Sequence, residues 1–418
     1  MIEVIVNRPS FEYDIHSLVK SFFPREDVQI HVQDTFTEDT ALRISVEFTD
    51  ETVSICLMEQ GEEKESGASV INYAERKETK NRLKRQLYQL LCAYTGQTLP
   101  WGTLTGIRPA KIAMGLIEQG MSNVETAEYM RNTYLASKEK VALSVMIANR
   151  ERYVLRNIDY KDGYSLYVGI PFCPSICLYC SFSSYPLERW RKQVDQYLDA
   201  LCKELDYVAD RFRDKKLNTV YIGGGTPTTL EPYQLDRLLT RIQSKFDTEH
   251  LQEFTVEAGR PDSITREKLQ VLLDHGIDRI SINPQTMNQK TLEIIGRRHT
   301  VDQVKEAFTL ARSMGFAHIN MDLIVGLPGE SYDDVEHTMK ELEAMAPDSV
   351  TVHSLAIKRA ARLSLFKDKY EEMGLENNMQ IMDMTARYCA EMGLSPYYLY
   401  RQKNMAGNFE NVGYAQPE

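Results

Sequence analysis

From about residue 160 onward the chain repeats one rhythm, a short apolar run, a turn, and then an amphipathic or loop-plus-helix stretch. The runs are SLYVGI (165–170), NTVYIGG (218–224), EFTVEA (253–258), RISINP (279–284), INMDLIV (319–325) and SVTVHSLA (349–356). Strands alternating with helices imply a parallel sheet joined by right-handed crossovers. Six such units predict an α/β fold, a partial (β/α)6 TIM-like barrel over residues 161–395, with working residues at the carboxyl ends of its strands. Ahead of it the pattern differs. IEVIVN reads as a strand, His16 to Phe23 as a helix, and VQIHVQD, ALRISVEF and TVSICLMEQ as three short strands, which together predict an extra N-terminal α+β domain over residues 1–100. That domain ends with a helix whose apolar face is Leu83, Leu87, Leu90, Leu91 and Tyr94, stopped by Gly96 and Pro100. Residues 101–160 are expected as a helical linker, opening on WGTLTGIRPAK, to which no chemistry is assigned. Residues 396–418 are expected to start a C-terminal segment that is incomplete.

Composition narrows the classes. A chain of 418 residues, 43% of them hydrophobic, has material for two or three domains with sizeable cores. Its net charge of −11 argues against bulk nucleic-acid or anionic-membrane binding. The start MIEVIVNRPS lacks the basic and apolar blocks of a secretory signal, and no run reaches the length of a bilayer span, so a cytoplasmic protein is expected. The basic group Arg76, Lys77, Lys80, Arg82, Lys84 and Arg85 reads as a solvated helix face.

The strand ends carry the chemistry. After the first strand come Cys173, Cys177 and Cys180, spaced CxxxCxxC. A structural zinc takes four ligands, and His250 and His275 are distant and unpaired in spacing; a disulfide would leave one thiol over. Three cysteines suit a cubane iron–sulfur cluster whose fourth iron stays open to a small molecule. The remaining cysteines, Cys56, Cys92, Cys202 and Cys389, sit in apolar or amphipathic runs and read as buried, inert thiols. After the second strand, Gly223-Gly224-Gly225-Thr226-Pro227 is either a tight turn or a place where backbone meets a charged ligand closely. Glu257 ends the third strand, Gln285 follows the fourth, Arg297 lies in the next loop, and Asp322 sits inside the fifth ahead of GLPG. Polar groups in such apolar surroundings need partners, so each is a candidate ligand contact, with rim ion pairs as the alternative.

YVGIPFC before the cysteines, GGGTP, the strand-end Glu257, the span from Gln285 to Arg297 with GRRHT, and DLIVGLPGES together resemble the radical S-adenosylmethionine (SAM) enzymes of the oxygen-independent coproporphyrinogen III oxidase family. The resemblance covers essentially the whole chain. It implies a [4Fe-4S] cluster on Cys173, Cys177 and Cys180, with the methionyl amino and carboxylate groups of SAM on its fourth iron. It implies that Tyr167 packs near the cluster and joins the cysteines as a catalytic residue, and that Gly224, Gly225 and Thr226 meet the methionyl amino group. Glu257, Gln285, Arg297 and Asp322 match the family's SAM contacts. The implied reaction is reductive cleavage of SAM to methionine and a 5′-deoxyadenosyl radical, hydrogen abstraction from a propionate, and loss of carbon dioxide and one electron to leave a vinyl group. Done twice, this turns coproporphyrinogen III into protoporphyrinogen IX. A flavodoxin or ferredoxin type electron donor and a tetrapyrrole substrate are the implied partners, the latter met by Lys358, Arg359, Arg362, Arg401 and Lys403; a monomer is the default. Phe182 stands where well-known members carry a fourth cysteine, and Gly169 where they carry a histidine. Relatives that bind haem as chaperones, and enzymes acting on another tetrapyrrole, define the alternative.

Overall fold

The computed structural model describes residues 1–32, 40–106, 108–358, 360–365, 370, 372–402 and 405–416. The chain divides into two compact units, Met1–Asn149 with Leu399–Asn404, and Arg150–Tyr398 with Met405–Glu418.

In the first unit, β1 (Ile2–Val6) lies between and parallel to β2 (Val28–Val32) and β3 (Leu42–Phe48). Two antiparallel strands, β4 (Thr52–Glu59) and β5 (Glu62–Val70), complete a five-stranded mixed sheet. The helices Glu12–Phe22 and Arg76–Thr95 cover it, and Leu83, Leu87 and Leu91 are fully buried in one cluster with Val4, Ile44 and Leu57. The second helix ends at Gly96, whose φ of 68° is the left-handed cap that a glycine adopts without steric cost.

One strand, β5, has no counterpart among the expected elements. Its sequence EEKESGASV is polar because it is a sheet edge, so hydrophobicity is silent there. The readable signal was the turn: Gln60 and Gly61 both take positive φ, 52° and 82°, as a two-residue hairpin requires.

The basic helix face is only partly solvated. Arg82 and Arg85 each pair with Glu78 at 3.1 Å. Lys84 is instead buried, donates to the Thr105 hydroxyl at 3.1 Å, and has its pKa pushed down to about 8 by that burial. Helices Pro109–Glu118, Asn123–Tyr134 and Lys138–Leu155 pack around the fully buried Trp101 in a cluster of their own. Arg401 stacks over the Trp101 ring at 5.3 Å and donates to the Leu104 carbonyl at 2.7 Å.

The second unit holds β6 (Gly163–Ile170), the short pair β7 (Phe172–Cys173) and β8 (Tyr185–Pro186), then β9 (Lys216–Gly224), β10 (Glu253–Glu257), β11 (Arg279–Ser281), β12 (His318–Val325), β13 (Ser349–Ser354), β14 (Ser395–Tyr400) and β15 (Asn411–Ala415). Its main sheet has eight strands in the order β14-β15-β13-β12-β11-β10-β9-β6. Each of the six expected strands is present, parallel to its neighbour and in chain order, which is how a (β/α) barrel winds. The last two strands were not expected: β15 runs antiparallel to β13, and β14 forms the edge beyond it.

The register sorts residues by face. Val220, Ile222, Val256, Ile280, Met321, Val350 and Val352 are buried on one side. Tyr167, Tyr221, Glu257, Ser281, Asn320, Asp322 and Thr351 alternate with them, and the pairs Tyr167↔Tyr221, Glu257↔Ser281, Ser281↔Asn320 and Asp322↔Thr351 line this second set across the sheet. The other side of the sheet is therefore polar.

Candidate functional site

The cysteine loop leaves β6 and is tied down from several sides. Gly225 N–H donates to Ile170 O at 2.6 Å and Thr226 N–H to Phe172 O at 2.7 Å, so the glycine turn is stitched to the end of β6 and the start of the loop. Leu178 N–H reaches Ile295 O at 2.8 Å, Ser175 Oγ reaches Gly296 O at 2.9 Å, and Arg362 Nη2 reaches Ile176 O at 2.5 Å. Each sulfur has a polar neighbour: Thr226 Oγ1 is 3.6 Å from Cys173 Sγ, Arg260 Nη1 is 3.8 Å from Cys177 Sγ, and Ser184 Oγ is 4.0 Å from Cys180 Sγ. Burial raises the pKa of Cys173 and Cys180, and the neighbouring Cys177 raises both further.

Among the described residues no three His, Cys, Asp or Glu groups gather tightly enough for a single metal ion. A three-cysteine cluster binds each thiolate to a different iron, so its ligands do not converge on one point. Three free thiols on one short loop, with hydrogen-bond donors aimed at two of the sulfurs, fit such a group.

The polar face of the sheet begins beside this loop. Tyr167 stacks on Tyr221 with ring centroids 5.9 Å apart and planes 12° from parallel, and the Tyr221 hydroxyl donates to Glu257 Oε1. The Glu257 carboxylate lies over Gly223, where an added Cβ would come within 3.2 Å of it. Asp322 accepts from Asn320 Nδ2 at 2.7 Å and lies 3.5 Å from His353 Nε2. Burial works to raise the Asp322 pKa, yet the hydrogen bonds from His353, Asn320 and Thr351 bring it below the ordinary range.

Glu257 goes the other way. Burial, reinforced by the nearby Asp322 charge, pushes its pKa up to about 7 against the hydrogen bond from Tyr221. Unfolded, the group titrates near 4.5, so between roughly pH 4.5 and 7 the folded chain keeps a proton that the unfolded chain has lost. Stability from this group is complete below pH 4.5 and is lost as pH rises through 7. Glu257→Gln should remove that slope and stabilise the protein at pH 8 by up to about 3 kcal/mol, an upper figure because the carboxylate keeps some exposure. Thermal melts at pH 5 and pH 8 test this, and an identical pH dependence in both proteins would refute it.

Residues 283–300 supply the third part. Gln285 sits at φ 66°, a left-handed conformation that costs a non-glycine residue about 1 kcal/mol or more. It is held there from both sides, its N–H donating to Asp322 O at 2.9 Å and its carbonyl accepting from Ile324 N–H at 2.9 Å. Its buried side-chain oxygen Oε1 has no hydrogen-bond partner among the described residues. Arg297 is 5% exposed and donates to Tyr179 Oη at 3.2 Å, Gly259 O at 2.7 Å and Asn283 O at 2.8 Å, which leaves its buried Nε without a partner. His299, fully buried, has both ring nitrogens unpartnered and its pKa pushed down to about 3, first by burial and then by Arg297 and Arg260. An orphan acceptor and an orphan donor suit a ligand with hydroxyl and carboxylate groups, such as SAM.

Cys173, Cys177, Cys180, Gly224, Gly225 and Thr226 thus meet at the ends of β6 and β9, while Tyr167, Glu257 and Asp322 share the polar face and Gln285 adjoins β12. Arg297 is found with its terminal nitrogens committed to the protein rather than turned to an open face. The N–H groups of Gly225 and Thr226 are likewise bonded within the protein, to Ile170 O and Phe172 O. Of the five cations expected near a substrate, Arg401 is buried against Trp101, Arg362 is exposed with one bond to Ile176 O, and Lys358 is half-buried. Arg359 and Lys403 lie outside the described residues. Thr300 and Ser331, the ends of GRRHT and LPGES, cap the helices Val301–Met314 and Tyr332–Met345 through capping boxes. Tyr221 and His353 lie on the polar face of the sheet, at positions that the two-residue period of β9 and β13 marks, and Asn283 follows β11 two residues past Ser281.

Residues 167–342 match the Radical SAM superfamily. Over 345 residues the chain is 43% identical to the oxygen-independent coproporphyrinogen-III oxidase-like protein HemZ of Bacillus subtilis (strain 168), covering 82% of this chain and 69% of that protein. It is 36% identical over 229 residues to the heme chaperone HemW of Lactococcus lactis subsp. lactis (strain IL1403), covering 53% and 59%. Among solved structures, coproporphyrinogen III oxidase (HemN) from Escherichia coli, a radical SAM enzyme, superposes with a TM-score of 0.52 and 26% identity over 64% of this chain and 59% of that one. The chain thus spans about three-fifths to two-thirds of the length of these relatives.

Proposed function

This chain belongs to the radical SAM superfamily, among the oxygen-independent coproporphyrinogen-III oxidase-like proteins, and from that premise we propose that it decarboxylates two propionates of coproporphyrinogen III oxidatively to vinyl groups, giving protoporphyrinogen IX. The observation that carries this reading is the cysteine loop, stitched to the glycine turn and opening beside a polar sheet face with unfilled buried hydrogen-bonding groups. The cofactors are a [4Fe-4S] cluster and SAM, and when bound the cluster supplies the single electron that splits SAM.

The chain's own residues hold and orient. Cys173, Cys177 and Cys180 are the proposed cluster ligands. Glu257, ionised above about pH 7, and Asp322 accept hydrogen bonds from SAM hydroxyl or ammonium groups. Gln285 Oε1 accepts one more, and Arg297 offers Nε. Tyr167 and Tyr221 form an aromatic wall that limits water and keeps the substrate carbon near the site of hydrogen abstraction. Lys358 and Arg362 meet substrate propionates. A flavodoxin or ferredoxin type donor supplies electrons, and the working unit is a monomer in the cytoplasm.

Protein reconstituted anaerobically with iron and sulfide, then given SAM, dithionite and coproporphyrinogen III, is expected to form two 5′-deoxyadenosine per protoporphyrinogen IX, one for each vinyl group, read by chromatography and porphyrin fluorescence. Tight haem binding with no porphyrin turnover would replace this reading with the chaperone one, which the similarity to HemW supports. SAM cleavage uncoupled from either would point to a radical enzyme with a different substrate.

A further inference from the structure

Arg260 follows Glu257 by three residues, in the turn Gly259-Arg260-Pro261-Asp262, and is only 4% exposed. A buried guanidinium must place its five N–H donors, and here each has an acceptor. Nε donates to Asp262 Oδ1 at 3.0 Å and Nη2 to Asp262 Oδ2 at 2.8 Å, a two-point clamp that fixes the plane of the group. Nη2 also donates to Ser175 Oγ at 3.1 Å and Nη1 to Ser175 O at 3.1 Å. The donor that remains, on Nη1, points to Cys177 Sγ at 3.8 Å. Cys173 and Cys180 have the neutral hydroxyls of Thr226 and Ser184 at comparable range, Cys180 also accepts from the Phe182 backbone, and among the described residues no guanidinium hydrogen-bonds to either. Among the described residues Cys177 is therefore the sulfur with a guanidinium N–H in hydrogen-bond range.

We propose that Arg260 is a positioning residue that sets the reduction potential of the cluster, by donating a charged N–H to the Cys177 sulfur. This rests on the three cysteines holding the cluster, and not on the identity of the substrate. Reduction adds one negative charge to a centre already rich in thiolate, in a site largely removed from water. A fixed positive charge and an N–H···S bond stabilise the reduced form more than the oxidised one and so raise the potential. Asp262 and Ser175 make this possible by holding the group in place before any cluster is present, so no reorganisation is needed when the electron arrives. Replacement by lysine would keep the charge and lose the clamp, because an ammonium cannot take both Asp262 oxygens in one plane.

The test compares the reconstituted full-length protein with Arg260→Gln and Arg260→Lys by mediated redox titration, following the electron paramagnetic resonance signal of the reduced cluster. With iron and sulfide content equal to the parent, Arg260→Gln should lower the ratio of reduced to oxidised cluster at a fixed poise about tenfold, equivalent to about 59 mV for a one-electron couple. Arg260→Lys should fall between the two. A variant that carries full iron and titrates like the parent overturns the proposal. If the Gln variant does not load, the Lys variant decides on the same criterion; if neither loads while both melt like the parent, Arg260 builds the loop and does not tune the centre, which also overturns it. A parent that binds no iron would instead remove the cluster assignment itself, so the two failures are distinguishable.

Discussion

Replacing any one of Cys173, Cys177 or Cys180 with alanine should reduce 5′-deoxyadenosine formation by at least about a thousandfold, the equivalent of roughly 4 kcal/mol of lost barrier lowering. The size follows from the ligand count. A centre that keeps one iron open for SAM has three protein anchors, and removing one leaves a second iron without a protein ligand. The loop has no further thiol to substitute: Phe182, two residues past Cys180, is 76% exposed and carries no donor atom. Cys202 and Cys389 provide the contrast. They are 3% and 0% exposed, and burial pushes the Cys389 thiol up to about 12, so both behave as small core hydrophobes. Alanine at either position should cost on the order of 1 kcal/mol of stability and leave iron content and SAM cleavage per folded molecule unchanged. Iron and sulfide analysis beside a deoxyadenosine assay reads both sets, and full iron in the Cys177→Ala protein would sink the assignment.

The parallel strands were legible because a sheet covered by helices writes its strands as apolar runs, and each of the six runs became a strand. The chemistry at their ends was legible for a related reason, since a glutamate or a triple glycine has no place in such a run unless something there needs it. What escaped carried no hydrophobic run to mark it. The polar edge strand β5 has no face to bury, and β14 and β15 come after the strand–helix rhythm has stopped. Arg260 looks like an ordinary surface arginine in a Pro-Asp turn; its bond to Cys177 spans 83 residues. Arg401 was expected to face a substrate, but its carbonyl partner Leu104 lies 297 residues away, beyond the reach of any pattern read along the chain. Even the motifs proved composite. In GRRHT, Arg297 and His299 are buried in the site region while Thr300 caps a helix, so a single short phrase carries both buried polar groups and a helix start.

Gly225→Ala should disable the protein nearly as thoroughly as loss of a cysteine, without removing any ligand. The backbone of Gly225 is not in the left-handed region, so alanine is conformationally tolerated there and space alone decides. A Cβ would fall 2.7 Å from Phe172 O, 2.8 Å from Ile170 O and 3.0 Å from Cys173 Sγ. Neither carbonyl can retreat freely, because Ile170 O accepts the N–H of Gly225 itself at 2.6 Å and Phe172 O accepts that of Thr226 at 2.7 Å. Relief must come from pushing the cysteine loop away from the turn, which carries the Cys173 sulfur with it and breaks its 3.6 Å contact to Thr226. Overpacking of this kind costs about 1–3 kcal/mol, tolerable for a chain of this size, so the variant should stay folded while its iron content drops sharply. Gly115→Ala, inside the helix Pro109–Glu118 with nothing within 4 Å of its added methyl, should instead gain roughly 0.5–1 kcal/mol and keep its iron. If the Gly225→Ala protein loads a full cluster and cleaves SAM at the parent rate, the sulfur tolerates displacement and the close fit of the two loops has no bearing on the chemistry.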